Sequence, residues 1–293
     1  MKPARVVFVT GKGGTGKSTL AAAIAIALSR RSHTTIVDLD GRQCAASMIG
    51  GTVGRGTPAR VTESLDATAV GGREELEAFI ERIVPLRAIS RRMLRSRTFG
   101  YVTAALPGLE AFLLLERLRI MAADAALEDR YLVVDAPASG SAIELLSVAT
   151  GIQKLAPTGT LNRLADSVRT FLCDATRFGV IITATPDELA IREALETAEA
   201  MRGQLGVAVL AAMMNRVPDS LFDTAELAAL SLLGAHARLA VARSAARESA
   251  LIGAARLAEA GLETVVMPMM FTPQVSVEEV EALSDVAGAG LFD

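Results

Sequence analysis

Residues 5–19 read RVVFVTGKGGTGKST and contain the side chains with the clearest chemical purpose in this chain. The pattern G-x-x-x-x-G-K-[ST] is met by Gly11, Gly16, Lys17 and Ser18. Its glycines allow backbone N–H groups to turn toward phosphate oxygens, while the lysine reaches the β- and γ-phosphates and the hydroxyl coordinates Mg²⁺. A dinucleotide-binding turn has no use for this lysine and this hydroxyl together. The spacing therefore predicts a nucleoside triphosphate and Mg²⁺ as ligands.

A strand must precede such a loop and a helix must follow it, and the sequence predicts both. The apolar run VVFVT leads into the loop, and an alanine-rich helix from about Gly16 to Arg30 leaves it, with its positive end at the bound anion. Further strand-like runs alternate with helical segments: TTIVDLD, YLVVDAP, FGVIITAT, GVAVLAAMMN and LETVVMPM. Continuous apolar runs are typical of buried parallel strands. The pattern predicts an α/β fold with a doubly wound, mainly parallel sheet flanked by helices.

Acidic residues end two of these strands, at the edge where open α/β sheets bind ligands. Asp135 follows four apolar residues, an arrangement that holds Mg²⁺ directly or through a water, although it also suits a turn or helix-cap aspartate. The second strand ends in Asp38 and Asp40, which either take part in chemistry at this edge or cap the following turn. The segment APASG after Asp135 has the composition of a loop that rearranges when the terminal phosphate leaves.

The loop GKGGTGKST resembles the deviant Walker A loop of the P-loop ATPases that drive arsenite pumps, target tail-anchored proteins or, as MinD and ParA, position other structures. In that group an early lysine crosses a dimer interface to the partner's phosphates. The resemblance therefore implies that Lys12 acts in trans, whereas the alternative is a solvated lysine at a loop tip. It also implies that Asp40 orients the attacking water and that Asp38 lies in the outer shell of Mg²⁺. Catalytic roles are thus predicted for Lys12, Lys17 and Asp40, and Mg²⁺ binding for Ser18, Asp38 and Asp135.

Three further stretches resemble the arsenite-pump and tail-anchored-targeting branch of this group. They are DAPASGS at 135–141, which resembles its second switch, PGLEA at 107–111, and TPDELAIREALETAEAM at 185–201. The sequence departs from that branch at Ser141, where a histidine is usual, and after Asp40, where G-R-Q stands in place of P-A-H. It also lacks the metalloid-binding cysteines and the zinc C-x-x-C, so neither arsenite nor a structural metal is predicted.

The resemblance implies ATP as the nucleotide, with binding residues in three places. Asn215 ends the strand GVAVLAAMMN and is predicted to read the adenine edge, because a carboxamide can both donate and accept; an ordinary turn residue is the alternative. The loop 268–273 is predicted to flank the base, with Pro268 as its binding residue. The phosphate loop itself supplies Gly13, Gly14, Thr15, Gly16, Lys17, Ser18 and Thr19.

Length and composition indicate the number of domains and the classes of partner. The 293 residues are 51% apolar, which suffices for a single domain, 1–293, with a sizeable core. The stretch 41–129 is longer than a simple crossover, so a helical subdomain at about 70–128 is predicted on the catalytic face. A net charge of −3 argues against nucleic-acid binding. Without a membrane-spanning apolar run or a signal peptide, the chain is predicted to lack a transmembrane segment and to be cytoplasmic.

Two features of this long stretch leave alternatives open. Arginines alternate with apolar residues over 82–97, which predicts a basic amphipathic helix. This helix either docks an acidic partner or a membrane surface, or presents a solvated face of a packed helix. The apolar run 99–121 either packs on the sheet or covers a groove or subunit seam.

The chain as a whole is identified as a member of the arsenite-pump and tail-anchored-targeting family. This resemblance implies a Mg²⁺-dependent ATPase that works as a dimer, either with a second copy or with a related ATPase, and that closes on ATP and opens on hydrolysis. Its output would go to a protein client or to a membrane channel for an anion. Two alternatives stay open at this point: a ParA- or MinD-like positioning ATPase, and a nucleotide-bound scaffold without turnover.

Overall fold

The structure is a computed structural model that describes residues 4–39, 44–51, 53–55, 57–83, 108–127, 129–232, 234–272 and 275–292. The strands in these residues are β1 (Val6–Gly11), β2 (Thr34–Leu39), β3 (Gly54–Arg55), β4 (Ala59–Thr62), β5 (Leu65–Val70), β6 (Tyr131–Ala138), β7 (Phe178–Ala184), β8 (Val209–Val217) and β9 (Thr264–Pro268). The helices are α1 (Lys17–Ser29), α2 (Cys44–Met48), α3 (Gly72–Ile83), α4 (Leu109–Leu127), α5 (Ser139–Leu155), α6 (Thr160–Cys173), α7 (Glu188–Glu199), α8 (Thr224–Ser231), α9 (Arg238–Glu259) and α10 (Val277–Phe292). A π-helical turn, Ala200–Leu205, extends α7, and a 3₁₀ turn, Gly234–Ala237, precedes α9.

The described strands form one sheet in the order β3-β5-β2-β6-β1-β7-β8-β9. Neighbours in this order run parallel, and β4 pairs antiparallel with β5. The chain moves outward from β1 first in one direction, through β2 and β5, and then in the other, through β7, β8 and β9. The predicted doubly wound, mainly parallel α/β fold is confirmed.

The six strands predicted from apolar runs are β1, β2, β6, β7, β8 and β9. The structure adds β3, β4 and β5, all in the long stretch 41–129. β5 reads LDATAV and is buried along its whole length, yet an aspartate, a threonine and two alanines break up its apolar character. It therefore lacks the continuous apolar run by which the other parallel strands were predicted. Because β5 pairs with β2, this stretch extends the sheet as well as supplying helices.

A hydrophobic core lies on each face of the sheet. Successive strand residues point to opposite faces, so that Val6 and Phe8 enter one core while Val7 and Val9 enter the other. Helices α3 to α7 and α9 cover the first core. Helix α1 is sandwiched between the second face and α10, and it is apolar all round, as expected for a helix buried on every side. Its alanines allow this close packing directly behind the phosphate loop.

The structure also bears on whether the apolar run 99–121 packs on the sheet or covers a groove or subunit seam. The described part of the apolar run 99–121 lies in α4, where 112–115 and Leu118 are buried against the sheet, so this part packs in the core. The basic segment 82–97 lies outside the residues whose side chains are described. No helix in the described ranges combines the length and the apolar character needed to cross a bilayer.

Candidate nucleotide site

The carboxyl edge of the sheet gathers the residues with chemical potential. Because neighbouring strands are parallel, their carboxyl ends meet at this edge. The loop 12–16 joins β1 to α1 here and contacts the ends of β7 and β8. The polar or loop-forming residues at or near these strand ends are Asp38 on β2, Asp135 on β6, Thr183 on β7, Asn215 on β8 and Pro268 on β9.

Two glycines of the loop stand where a side chain does not fit. A Cβ atom on Gly11 would collide with the backbone of Thr183, because β1 and β7 approach closely at this point. Gly16 has φ = +90°, and a Cβ atom there would collide with the side-chain amide of Asn215. Glycine is therefore required at both positions for the loop to turn tightly into α1.

The loop is held in shape by its own side chains. Thr15 Oγ1 donates to the carbonyl oxygen of Lys12 at 2.8 Å and lies 2.6 Å from Oγ1 of Thr183. Nζ of Lys17 donates to the same carbonyl oxygen of Lys12 at 3.1 Å. These bonds bring Thr15 and Lys17 back to the carbonyl group of Lys12, the first residue of the loop. The turned shape of the loop is therefore held by contacts among its own residues and with β7.

Lys17 is half-buried in this turn. Burial lowers the pKa of its ammonium group, while the negative charges of Asp135 and Glu193 oppose that shift. A phosphate oxygen in the loop would supply the negative charge that the desolvated ammonium lacks.

Asp38 and Asp135 occupy adjacent positions on β2 and β6, and both are buried. The Asp38 carboxylate accepts backbone N–H groups of Ala45 and Ala46 at 3.3 Å each, and the carboxyl group of Asp135 lies next to it on the neighbouring strand. Burial raises the pKa of both groups, that of Asp135 to about 6, and a hydrogen bond from Ser18 offsets this only in part. Two carboxyl groups in such contact require a shared proton or a cation between them.

The donor set fits Mg²⁺. Oδ1 of Asp135 is buried and has no hydrogen-bond partner among the described residues, which is costly for a carboxylate oxygen. It shares its surroundings with the Ser18 hydroxyl and the Asp38 carboxylate. In the described part of the chain, no three or more His, Cys, Asp or Glu residues cluster to hold a metal by themselves. Two carboxylates and a hydroxyl suit Mg²⁺, which keeps several waters and takes phosphate oxygens as its remaining ligands.

Lys12 lies at the outer side of the loop. Its Nζ is 3.8 Å from Oδ1 of Asp187, and both side chains are partly exposed. Asp187 caps α7 by accepting the backbone N–H of Ala190 at 2.8 Å, and its other oxygen accepts the Thr185 hydroxyl at 2.6 Å. The Thr185 hydrogen bond is the main reason that the pKa of Asp187 lies below its ordinary value. Lys12 therefore contacts α7 of its own chain.

A cavity of about 360 Å³ adjoins the start of α1. Its walls include Thr19, Asn215, Arg216, Pro268 and Met269. Nδ2 of Asn215 donates to the carbonyl oxygen of Thr15 at 2.8 Å, and its Oδ1 accepts the backbone N–H of Arg216 at 2.9 Å. One amide hydrogen and one lone pair of Asn215 remain beyond these two bonds. Asn215 thus ties the phosphate loop to the wall of the cavity.

Comparison with known proteins decides the family. The family model described as anion-transporting ATPase matches residues 4–201, well over half of the chain. The matched range includes the phosphate loop, both buried carboxylates and α7. The chain belongs to this family. The predicted family is therefore confirmed.

Curated relatives of this anion-transporting ATPase family member come from mycobacteria. ATPase BagA of Mycobacterium tuberculosis is 28% identical over 227 residues, which cover 72% of this chain and 65% of that protein. A protein of Mycobacterium bovis, named as a candidate ATPase, matches with the same figures. The chain thus spans about 65% of the length of these relatives.

Most of the predicted site residues of this family member lie together. The loop contacts the ends of β7 and β8, the two carboxylates face the start of α1, and Pro268 lines the adjoining cavity. Asp40 lies outside the described residues, as does the last predicted base-flanking residue, Pro273. The residues brought together at this edge are Lys12, Gly13, Gly14, Thr15, Gly16, Lys17, Ser18, Thr19, Asp38, Asp135, Asn215 and Pro268.

Three residues at this edge were not predicted as site residues. Thr183 supports the loop through Thr15, and the Ser139 hydroxyl donates to the carboxylate of Glu193, whose charge acts on Lys17. Ser139 lies within DAPASGS, so the sequence indicated that its segment is important but did not indicate that Ser139 contacts Glu193. Glu193 likewise lies within the stretch 185–201 that resembles the family, but only the packing of α7 decides which of its glutamates contacts Ser139.

Proposed function

We propose that this chain is a Mg²⁺-dependent ATPase that converts ATP and water to ADP and phosphate. The observation that carries the proposal is the meeting, at one glycine-rich turn, of the Lys17 ammonium, the Ser18 hydroxyl and an Asp135 oxygen that has no hydrogen-bond partner among the described residues. A cation and a Mg²⁺-type donor set side by side match a triphosphate complexed with Mg²⁺. The family match and the relatives named as ATPases support this function.

Each residue at the loop has a proposed role. Lys17 binds the β- and γ-phosphates, and the backbone N–H groups of 13–19 surround the phosphate oxygens. Ser18, Asp38 and Asp135 hold Mg²⁺, which neutralises charge on the phosphate oxygens when it is bound.

Nucleoside binding is proposed for the adjoining cavity. Pro268 and Asn215 line it, next to the start of α1. Because both ends of the Asn215 amide already have backbone partners, its first contribution is to hold the loop, and contact with the adenine edge uses its remaining hydrogen and lone pair.

Hydrolysis is proposed to depend on a second ATPase subunit, either another copy or a related chain. Lys12 is the residue that would reach the partner's phosphates, where added positive charge stabilises the transition state. Its partly exposed position at the outer side of the loop supports this assignment, and binding a partner would require it to leave Asp187. Asp40 is proposed to orient the attacking water.

The output of the ATPase cycle is proposed to be a protein client or a membrane partner that moves an anion. The family description supports the second, and the resemblance to the targeting branch supports the first. The single-domain organisation over 1–293, the cytoplasmic location and the absence of nucleic-acid binding remain predictions.

Calorimetry and phosphate release test the ATPase proposal. We expect Mg²⁺–ATP to bind the wild-type chain and Lys17→Ala to weaken binding at least about 100-fold, since it removes a charge-assisted contact made inside a partly desolvated loop. Lys154→Ala is the matched control, because Lys154 is an exposed lysine on α5 far along the chain from the loop.

Two results would contradict the proposal in different ways. No heat with wild-type protein would exclude nucleotide binding. Binding without phosphate release, with every candidate partner subunit added, would instead favour the scaffold without turnover.

A further inference from the structure

Strand β8 contains one extra residue beside the proposed nucleoside cavity. Residues 214 and 217 of β8 pair with residues 266 and 268 of β9, so three steps along β8 lie opposite two steps along β9. A regular strand points neighbouring side chains to opposite faces, and a bulge of this kind breaks that alternation. Asn215 and Arg216, the two residues inside the bulge, both line the cavity. The bulge therefore brings two consecutive residues to one ligand-sized space.

Arg216 also has an unusual backbone conformation. Its φ is +60°, and among the described residues the only other non-glycine residue with a positive φ is Asp129, at +52°. Aspartate tolerates this left-handed region because its short polar side chain can bond locally, whereas arginine has no such advantage. Glycine would adopt the conformation of Arg216 without a steric penalty. The backbone alone thus favours glycine at this position.

The fold accounts for the side chain of Asp129 but not for that of Arg216. The Asp129 carboxylate pairs with the guanidinium group of Arg5 at 3.1 Å. Arg216 is exposed, and its side chain forms no hydrogen bond or ion pair with any described residue; its backbone N–H donates to Asn215. Neither the backbone nor the surrounding protein therefore explains an arginine here. Conformational strain without a structural return is typical of residues that act on a ligand.

The lining of the cavity indicates which part of a nucleotide Arg216 would meet. Arg216 is the single charged residue among the described residues that line it. The apolar residues in the lining are Pro268, Met269, Met270, Val275 and Leu283. Apolar walls with a few polar groups suit a flat purine ring, whereas the phosphates have Lys17 and the backbone N–H groups of the neighbouring loop. A guanidinium group is planar and stacks on the faces of such rings.

We propose that Arg216 is a base-binding residue whose guanidinium group stacks on the face of the nucleotide's base, while Asn215 contacts the edge of that base. This inference rests on the proposed ATPase function and adds a residue to its nucleoside site. The bulge in β8 then supplies an edge contact and a face contact from consecutive positions of one strand.

Arg216→Ala and Arg216→Gly test the stacking contact. We expect each variant to bind Mg²⁺–ATP about tenfold more weakly than wild type, because each removes a cation–π contact with the ring. Affinity for the Mg²⁺ complex of ribose 5′-triphosphate should change by less than about twofold, since this ligand has no base for the guanidinium to contact. Calorimetry measures ATP binding, and displacement of ATP measures binding of the ligand without a base.

Asp129→Gly is the matched control. It also replaces a left-handed residue by glycine, but Asp129 precedes the amino end of β6, at the edge of the sheet away from the phosphate loop. This variant should keep the wild-type affinity for both ligands.

Arg216→Gly further separates a ligand contact from a structural role. In chemical denaturation without nucleotide, it should be no less stable than wild type, because relief of the left-handed strain offsets the greater freedom of glycine in the unfolded chain. Weaker ATP binding by a protein of undiminished stability would assign the arginine to the ligand. A variant that loses stability together with affinity for both ligands would show a structural role and would overturn the proposal.

The remaining outcomes separate this inference from the proposed function. If the wild-type chain binds neither Mg²⁺–ATP nor the ligand without a base, the ATPase proposal fails and this inference fails with it. If wild type binds ATP and both Arg216 variants keep its affinity, the stacking contact is wrong while the ATPase proposal stands. An equal loss for the two ligands would place Arg216 on the ribose or the phosphates and would also overturn the stacking contact.

Discussion

Two buried carboxylates at opposite edges of the same sheet have opposite surroundings. Asp135, toward the carboxyl end of β6, faces another carboxyl group and keeps a buried oxygen without a partner among the described residues. Asp66, at the amino end of β5, is equally buried, but its carboxylate contacts two arginines and one histidine from three separate parts of the chain. These are His33 at 2.7 Å, Arg60 at 2.7 Å and Arg130 at 3.8 Å.

The difference shows which carboxylate the chain neutralises by itself. A buried charge is tolerated when it is paired, and Asp66 is paired within the fold. Among the described residues, Lys17 and Ser18 act on Asp135, and two backbone N–H groups reach Asp38, which compensates the charge of the two carboxyl groups only in part. An imbalance of this kind is expected where a cation binds, and it distinguishes a binding site from a structural ion pair.

The largest expected effect is on activity. Asp135→Asn should lower Mg²⁺-dependent phosphate release at least about 100-fold, because it removes an anionic oxygen from the proposed Mg²⁺ site. Asp66→Asn, measured in protein that is still folded, should leave the rate within about twofold, since Asp66 lies at the other edge of the sheet. Steady-state phosphate release measures both. Equal losses in the two variants would show that Asp135 is no more important for activity than Asp66.

The second effect is on stability, and here the larger loss is expected at Asp66 rather than at Asp135. Asp66→Asn should lower the free energy of unfolding by about 2 kcal/mol, because it breaks the pairs of a buried carboxylate with three basic groups, one of them largely exposed. Chemical denaturation at pH 7 without Mg²⁺ measures this. Asp124→Asn, an exposed aspartate on α4, is the control and should change stability by less than about 0.5 kcal/mol. A stable Asp66→Asn variant would mean that its ion pairs contribute little.

The smallest effect is the pH dependence of stability. The folded pKa of Asp135 is raised to about 6, so between its ordinary value and that pH the folded state binds more protons than the unfolded state. Stability without Mg²⁺ should therefore fall as pH rises through this window, by about 1 kcal/mol from pH 5 to pH 7, and level off above it. Denaturation at a series of pH values measures the slope.

Asp135→Asn is the control for the assignment of this slope. It should reduce the fall between pH 5 and pH 7, with the remainder coming from Asp38, whose pKa burial also raises, and it should be more stable than wild type at pH 7. A slope that survives undiminished in Asp135→Asn would have to come from another group.

The sequence predicted the parts of the fold whose residues repeat a clear local pattern. β1, β2 and β6 to β9 are continuous apolar runs, and the predicted doubly wound, mainly parallel sheet is confirmed by their pairing. β5 was missed because its buried positions are filled largely by small and polar residues, whose burial depends on the neighbouring β2 and on α1 rather than on their own hydrophobicity. A buried strand with polar residues can be assigned only when the elements that cover it are known.

The family prediction is likewise confirmed, since it rested on motifs read along the chain. The roles of the individual site residues remain predictions that the geometry supports to different degrees. Asp38 and Asp135 lie side by side as a metal site requires. Asn215 was predicted to read the base, and the structure shows that its amide donates to the phosphate loop and accepts from the backbone of Arg216, which no sequence pattern indicated.

The sequence by itself determined the phosphate loop, because glycine, lysine and serine at fixed spacing act through neighbouring backbone atoms and need no distant residue to be recognised. The tertiary structure alone decided how charge is balanced around that loop. Which carboxylates are paired, which oxygen is left without a partner, and which glutamate of α7 reaches Ser139 all depend on distances between residues far apart in the chain. Electrostatic energies change steeply with such distances and with burial, and neither is encoded in local spacing.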